Sequence, residues 1–225
     1  MPAHNESANL RWLLPHLGRT LPRLAGEFEV VIVDDGSVDG TEQVAEELGR
    51  QLSLRLKVIR HPSKQGYGSA VGDGLRAADL EYAAFLDADG QLDPADLALL
   101  LPALERADLV AGWRRSREDP ALRSLVSGVF NLLVRVLFRL PVRDVDCALK
   151  VVRTDVLRRF ELRARSAVIN AELYYKVRRS GGSFEQVPVP HHARRLGRRS
   201  GARLVPILRA IRDLVRLRVQ TWSSP

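Results

Sequence analysis

Apolar runs and helical stripes alternate regularly through the first half of the chain. Leu10, Leu13, Leu14 and Leu17 recur at the spacing of one helical face, which predicts a helix over LRWLLPHLGRTLPRL. EFEVVIVDD is a short apolar run ending in turn residues and predicts a strand. The same reading gives a helix from Asp39 to Leu48 capped near Ser37 or Asp39, and a strand over LRLKVIRH. It continues with a helix from about Gly68 to Ala78, a strand ending at Asp87, a helix from Pro94 to Glu105 and a strand over ADLVAGW. Strands alternating with helices predict an α/β fold, a mostly parallel sheet flanked by helices.

The second half changes character. Leu122, Leu125, Val126, Val129, Leu133, Val136, Leu137 and Leu140 recur at helical spacing with Arg123, Arg135 and Arg139 among them, predicting a long amphipathic helix. A second basic amphipathic segment runs from Leu204 to about Trp222, with Leu204, Ile207, Leu208, Ile211 and Val215 on one face. Such helices either pack on the sheet or rest on anionic lipid, with Trp222 as an anchor. The expected division is a domain over 1–202 and a basic C-terminal helix over 203–225.

Composition narrows the setting. A 225-residue chain with 45% hydrophobic residues buries a proper core, and its formal charge of +8 favours an anionic partner. One cysteine, Cys147, excludes an internal disulfide framework and fits a reduced, cytoplasmic environment. No uncharged run approaches the ~20 residues a membrane span needs, and the opening MPAHNES has neither a basic start nor an apolar stretch. Membrane contact is therefore expected to be peripheral. Aromatic content of 6% without stacking motifs argues against nucleic acid as the partner.

The candidate chemistry sits where two apolar runs end. Asp34-Asp35-Gly36-Ser37 closes one and Asp87-Ala88-Asp89-Gly90-Gln91 another, so both acidic turns are expected at the carboxyl edge of the sheet, where ligands of open α/β folds bind. Two carboxylates one residue apart, with an amide two further on, offer hard oxygen ligands for Mg²⁺ or Mn²⁺ and so for phosphate. Gly66, Gly68 and Gly72 in KQGYGSAVGDG suit a tight helix start or close approach to a ligand.

Five motifs in order resemble family 2 glycosyltransferases of the GT-A fold, in the branch of dolichyl- and polyprenyl-phosphate sugar synthases. Pro2-Ala3-His4-Asn5-Glu6 resembles P-x-[YH]-N-E, and Val33 to Ser37 resembles V-D-D-G-S. Asp87 to Gln91 resembles the metal-binding D-x-D-x-Q, and Asp146-Cys147-Ala148-Leu149-Lys150 the D-x-x-[FL]-K segment. Arg194 to Gly197 followed by Ser200 resembles R-x-x-G-x-S, although Ser200 lies three residues after the glycine rather than two and no lysine follows.

The resemblance implies a metal-dependent, inverting transfer of a hexose from a GDP- or UDP-sugar to a polyprenyl phosphate at the cytosolic face of a membrane. It assigns the nucleotide to Pro2, Asn5, Glu6, Asp34, Asp35 and Asp87, with Arg194 and Ser200 closing over the diphosphate. Asp89 and Gln91 would meet the ion, with Asp87 on the ribose or in the metal shell. Arg114 and Arg123 are the candidates for gripping the acceptor phosphate. Glu172 falls where relatives carry an acidic residue near donor or acceptor, while Asp146 and Lys150 read equally as a structural pair. Relatives also place an apolar strand ahead of the first motif, so the sheet is expected to lack its first central strand. Two alternatives stand: a family member acting on a saccharide, glycolipid or protein hydroxyl, which requires a general base, and a non-catalytic basic protein that binds nucleic acid or membrane.

Overall fold

The computed structural model describes residues 1–115, 121–192 and 212–219, without the side chains of 121–126. Strand β1 (Pro2–Ala3) leads into α1 (Ser7–Thr20), β2 (Val30–Asp34), α2 (Thr41–Gln51), β3 (Leu56–Arg60) and α3 (Tyr67–Arg76). Then come β4 (Tyr82–Phe85), α4 (Leu97–Leu100), β5 (Leu109–Arg114), α5 (Ala121–Phe138), β6 (Lys150–Arg153), α6 (Thr154–Leu157), α7 (Ile169–Arg179) and β7 (Phe184–Val189). The alternation expected from the sequence is present, and helices flank the strands.

The sheet is in two pieces. One is wholly parallel, in the order β1-β2-β3; the other runs β4-β6-β5-β7, with β6 antiparallel to both neighbours and β7 parallel to β5. Only the two-residue β1 stands where a first central strand is expected to be missing: Pro2 pairs with Val33 and Ala3 with Asp34. Between the pieces lies an apolar cleft of about 670 Å³ whose walls include Val30 and Val31 of β2 and Tyr82 to Phe85 of β4.

Two apolar clusters hold these layers. Leu10, Leu13 and Leu14 of α1, fully buried, pack with Val30 and Ile32 of β2 and Val44 of α2. Each such leucine contributes about 1.5–3 kcal/mol. The larger cluster joins β4, β5 and β6 to α5 and α7, and it takes in Leu214 and Leu217 of the helical segment 212–219. That segment thus packs on the main core through Leu214 and Leu217, leaving Val215, expected on the apolar face, half exposed. Residues 94–105, expected as one helix, form a short α-turn between two 3-10 turns; Pro94 sits at the start, where no donor is needed, and Pro102 removes a backbone donor inside the stretch.

Candidate active site

The two acidic turns meet. Asp34 ends β2, Asp87 follows β4 by two residues, and Asp35, Asp87 and Asp89 line one cleft of about 240 Å³ together with Pro2, His4, Glu6, Lys64 and Tyr67. The sequence pattern brings these carboxylates to one edge; Asn5, Asp34, Gln91, Arg114 and Glu172 are not part of the lining.

The floor is built by hydrogen bonds between turns. Asn5, at φ 57°, donates its backbone N–H to Ser37 Oγ at 2.9 Å and accepts from Val38 N through Oδ1 at 3.0 Å, so it ties the first motif to the second. Asp34 Oδ1 accepts from Ser37 N at 2.9 Å, which closes the turn after β2. Glu6 accepts from Asn9 Nδ2 at 2.5 Å. Asp35 is buried and fully engaged: Oδ1 meets His61 Nδ1 at 2.8 Å and Gln65 N at 2.7 Å, and Oδ2 accepts from Gly66 N at 2.9 Å. Burial opposes its charge, but His61 and the two amides outweigh that and hold the carboxyl below its usual range. His61 spans from Asp35 to Asp73, 3.0 Å away on α3.

Asp87 is different. Burial first, then the neighbouring Asp89, push it up to about 6, and Oδ1 is buried without a hydrogen-bond partner. A buried acceptor with no donor is costly unless a ligand completes it. Asp89 Oδ1 accepts from Gln91 N at 3.1 Å, and Gln91 Nε2 donates to His192 O at 3.3 Å, leaving the Gln91 amide oxygen as its remaining ligand atom. No group of three His, Cys, Asp or Glu side chains among the described residues forms a ready metal cage. Asp87 and Asp89, side by side in the lining, are oxygen donors of the kind that suit a hard cation held partly by substrate phosphate, as Mg²⁺ and Mn²⁺ commonly are, while Gln91 stands outside the lining.

Two other expected site residues are committed elsewhere. Arg114 makes a bidentate ion pair with Asp144, Nε to Oδ2 at 2.7 Å and Nη2 to Oδ1 at 2.8 Å, both side chains nearly buried. The guanidinium therefore pins the end of β5 to the segment before β6 instead of lying open to an acceptor phosphate. Glu172 is 1% exposed; it accepts from Arg163 N and Ala164 N and pairs with Lys176 at 2.6 Å, so it clamps a loop and offers no free base. Arg123, Arg194 and Ser200 lie outside the residues whose side chains are described.

With this geometry in hand, the likeness to known proteins is informative. The Glycosyl transferase family 2 description matches residues 1–160. The chain belongs to this family. It is 30% identical over 210 residues to the polyprenol monophosphomannose synthase of Mycolicibacterium smegmatis, covering 88% of this chain and 77% of the relative. It is 29% identical over 208 residues to the undecaprenyl-phosphate mannosyltransferase of Micrococcus luteus, covering 88% and 84%. The dodecaprenyl-phosphate galacturonate synthase of Rhizobium johnstonii is 28% identical over 165 residues; the match takes in 72% of this chain and about half, 49%, of that longer protein. Among solved structures, glucosyl-3-phosphoglycerate synthase from Mycobacterium tuberculosis in complex with Mn²⁺, UDP-glucose and phosphoglyceric acid superposes with a TM-score of 0.74 at 21% identity, over 97% of this chain and 78% of that one. This places the glycosyltransferase on the GT-A fold.

Sequence reasoning passed over several members of the site. Lys64 and Tyr67 line the cleft, His61 backs Asp35, and Asn170 accepts from Lys150, the lysine of the fourth motif. Tyr67 carries a visible signal, a lone tyrosine between the two glycines of KQGYGSAVGDG. His61 and Asn170 carry none, because their partners are 26 and 20 residues away.

Proposed function

We propose that this glycosyltransferase moves a hexose from a nucleoside-diphosphate sugar to a polyprenyl phosphate at the cytosolic face of a membrane, with inversion. The observation that carries the reading is the joint cleft of Asp35, Asp87 and Asp89, with the Asp87 Oδ1 acceptor buried and unmet. The named relatives that act on polyprenyl phosphates support the acceptor class. Mg²⁺ or Mn²⁺, held by Asp87, Asp89 and Gln91, would supply positive charge to the leaving diphosphate. Lys64, at the cleft wall, adds a cation on the diphosphate side. The Asn5 and Asp34 turn contacts hold the wall on which the nucleotide rests.

A lipid phosphate oxygen is already ionised, so it attacks the anomeric carbon without a general base. The engagement of Glu172 with Arg163, Ala164 and Lys176 agrees with that. No helix among the described residues is long and apolar enough to cross a membrane. Instead Val129, Leu132 and Val136 of α5, 48%, 56% and 66% exposed, form an apolar stripe beside the exposed Arg135, suited to an anionic lipid surface.

The test is Mn²⁺- or Mg²⁺-dependent transfer from labelled GDP- and UDP-sugars to a short polyprenyl phosphate, beside Asp89→Ala and a Leu132→Glu/Val136→Glu variant. The reading expects lipid-linked product that Asp89→Ala reduces at least about 100-fold, in line with loss of an electrostatic stabiliser. It also expects the α5 variant to float poorly with anionic liposomes. Product on soluble sugar acceptors alone would overturn the lipid-phosphate reading.

A further inference from the structure

One wall of the acidic cleft has a charged layer behind it. Asp35, which lines the cleft, is wrapped by the segment from His61 to Gly66: His61 Nδ1 lies 2.8 Å from Oδ1, and the amides of Gln65 and Gly66 donate to Oδ1 and Oδ2 at 2.7 and 2.9 Å. His61 N donates to Asp34 O at 2.9 Å as well. The middle of the segment closes on Gly36, where a Cβ would stand 2.6 Å from both Ser63 C and Lys64 N. Lys64, the cation of the lining, is thus carried on a loop bonded at both ends to the Asp34–Asp35 turn.

The far side of His61 is closed too. Its Nε2 lies 3.0 Å from Asp73 Oδ2 on α3, and Arg76 Nη1 donates to Asp73 Oδ1 at 2.6 Å. The His61 side chain is only 5% exposed. A carboxylate accepts and does not donate, so a ring with a carboxylate on each nitrogen needs a proton on both. The imidazolium and the Arg76 guanidinium then balance two carboxylates, as buried charge requires. A neutral ring would turn a lone pair on one of them.

We infer that His61 is a positioning residue of the nucleotide-sugar site: as an imidazolium bridging Asp73 to Asp35, it sets Asp35 and, through the 61–66 loop, Lys64 for the nucleoside diphosphate. This rests on the donor site proposed above. His61 is not itself part of the cleft lining. With three of its roughly four acceptor positions taken, Asp35 keeps one on Oδ2 for a ligand N–H or O–H, and the donors on the others fix its aim. Burial opposes the charge on His61, but Asp35 from the turn after β2 and Asp73 from α3 outweigh it and hold the ring above its ordinary 6.5. The positioning is therefore full below that value and fades as pH rises through the raised one.

The test is calorimetric titration of UDP and of GDP, each with Mn²⁺, into the full chain across a pH series, for wild type, Asp35→Asn, His61→Gln, His61→Arg and Asp73→Asn. Near-ultraviolet circular dichroism verifies each fold. Asp35→Asn and His61→Gln should bind the diphosphate that wild type prefers about 10-fold more weakly at neutral pH, while His61→Arg, which keeps a cation and donors for both carboxylates, stays within about 3-fold. Taken as a ratio to His61→Arg, wild-type affinity should fall with rising pH. Asp73→Asn should move that fall to lower pH, because it removes one of the carboxylates that raise His61. If His61→Gln does not fold, the Asp73→Asn displacement carries the comparison. Loss in Asp35→Asn with wild-type affinity in His61→Gln, or a ratio that neither pH nor Asp73→Asn moves, overturns the positioning role and leaves the donor site standing. Wild-type affinity in Asp35→Asn, or no binding of either diphosphate by wild type, overturns the donor reading and this inference with it.

Discussion

Two glycines on α3 should respond in opposite directions to the same substitution. A Cβ on Gly68 would stand 2.2 Å from Ala164 O and 2.5 Å from Ser166 O, both backbone atoms of a loop that Glu172 clamps. Relief to an ordinary separation requires about 1 Å of movement of the first turn of α3 or of that loop, and overpacking of this kind costs about 1–3 kcal/mol. At about 2–4 °C per kcal/mol for a chain of this size, Gly68→Ala should melt about 2–12 °C lower. On Gly72 the nearest atom is Ile169 Cδ1 at 3.5 Å, an ordinary contact, and the position lies inside the helix. There the gain in helix propensity of about 0.5–1 kcal/mol prevails, and Gly72→Ala should melt slightly higher. Differential scanning calorimetry of the two variants side by side decides the matter. A Gly68→Ala protein within 1 °C of wild type would refute the close approach of α3 to the 164–166 loop.

His61→Gln should lower stability by about 2 kcal/mol, because it removes a hydrogen bond between charged groups from a nearly buried pair. His61 is raised above its usual 6.5, since Asp35 and Asp73 outweigh burial; its contribution is full below that value and fades as pH rises through the raised one. Asp35 is lowered below 3.8, so its contribution is full above that value and fades as pH falls through the lowered one. The gap in melting temperature between wild type and variant should therefore be widest near pH 5 and narrow toward alkaline pH; a gap that widens there would contradict the pairing. Asp144→Ala should cost about 3–5 kcal/mol in urea denaturation, as it leaves the buried Arg114 without its partner. If Arg114 instead served an acceptor phosphate directly, the same change would leave stability intact.

The convergence of Asp35, Asp87 and Asp89 is legible in the sequence because each acidic turn directly follows an apolar run, and strands of an open α/β fold turn their carboxyl ends to one edge. The fates of Arg114 and Glu172 are not legible. Local pattern marks both as polar residues near motifs, but their roles are decided by Asp144, 30 residues on, and by the 163–164 loop, which only the tertiary fold brings near. Strands β6 and β7 were hidden for another reason. KVVR is a four-residue run starting in what reads as a site motif, and FEQVPV contains Pro188, tolerated because β7 is an edge strand bonded on one side to β5. The expected metal and nucleotide residues divide along the same line. Pro2, Glu6, Asp35, Asp87 and Asp89 reach the cleft, whereas Asn5 and Asp34 act one layer back, bonding the turns that shape it.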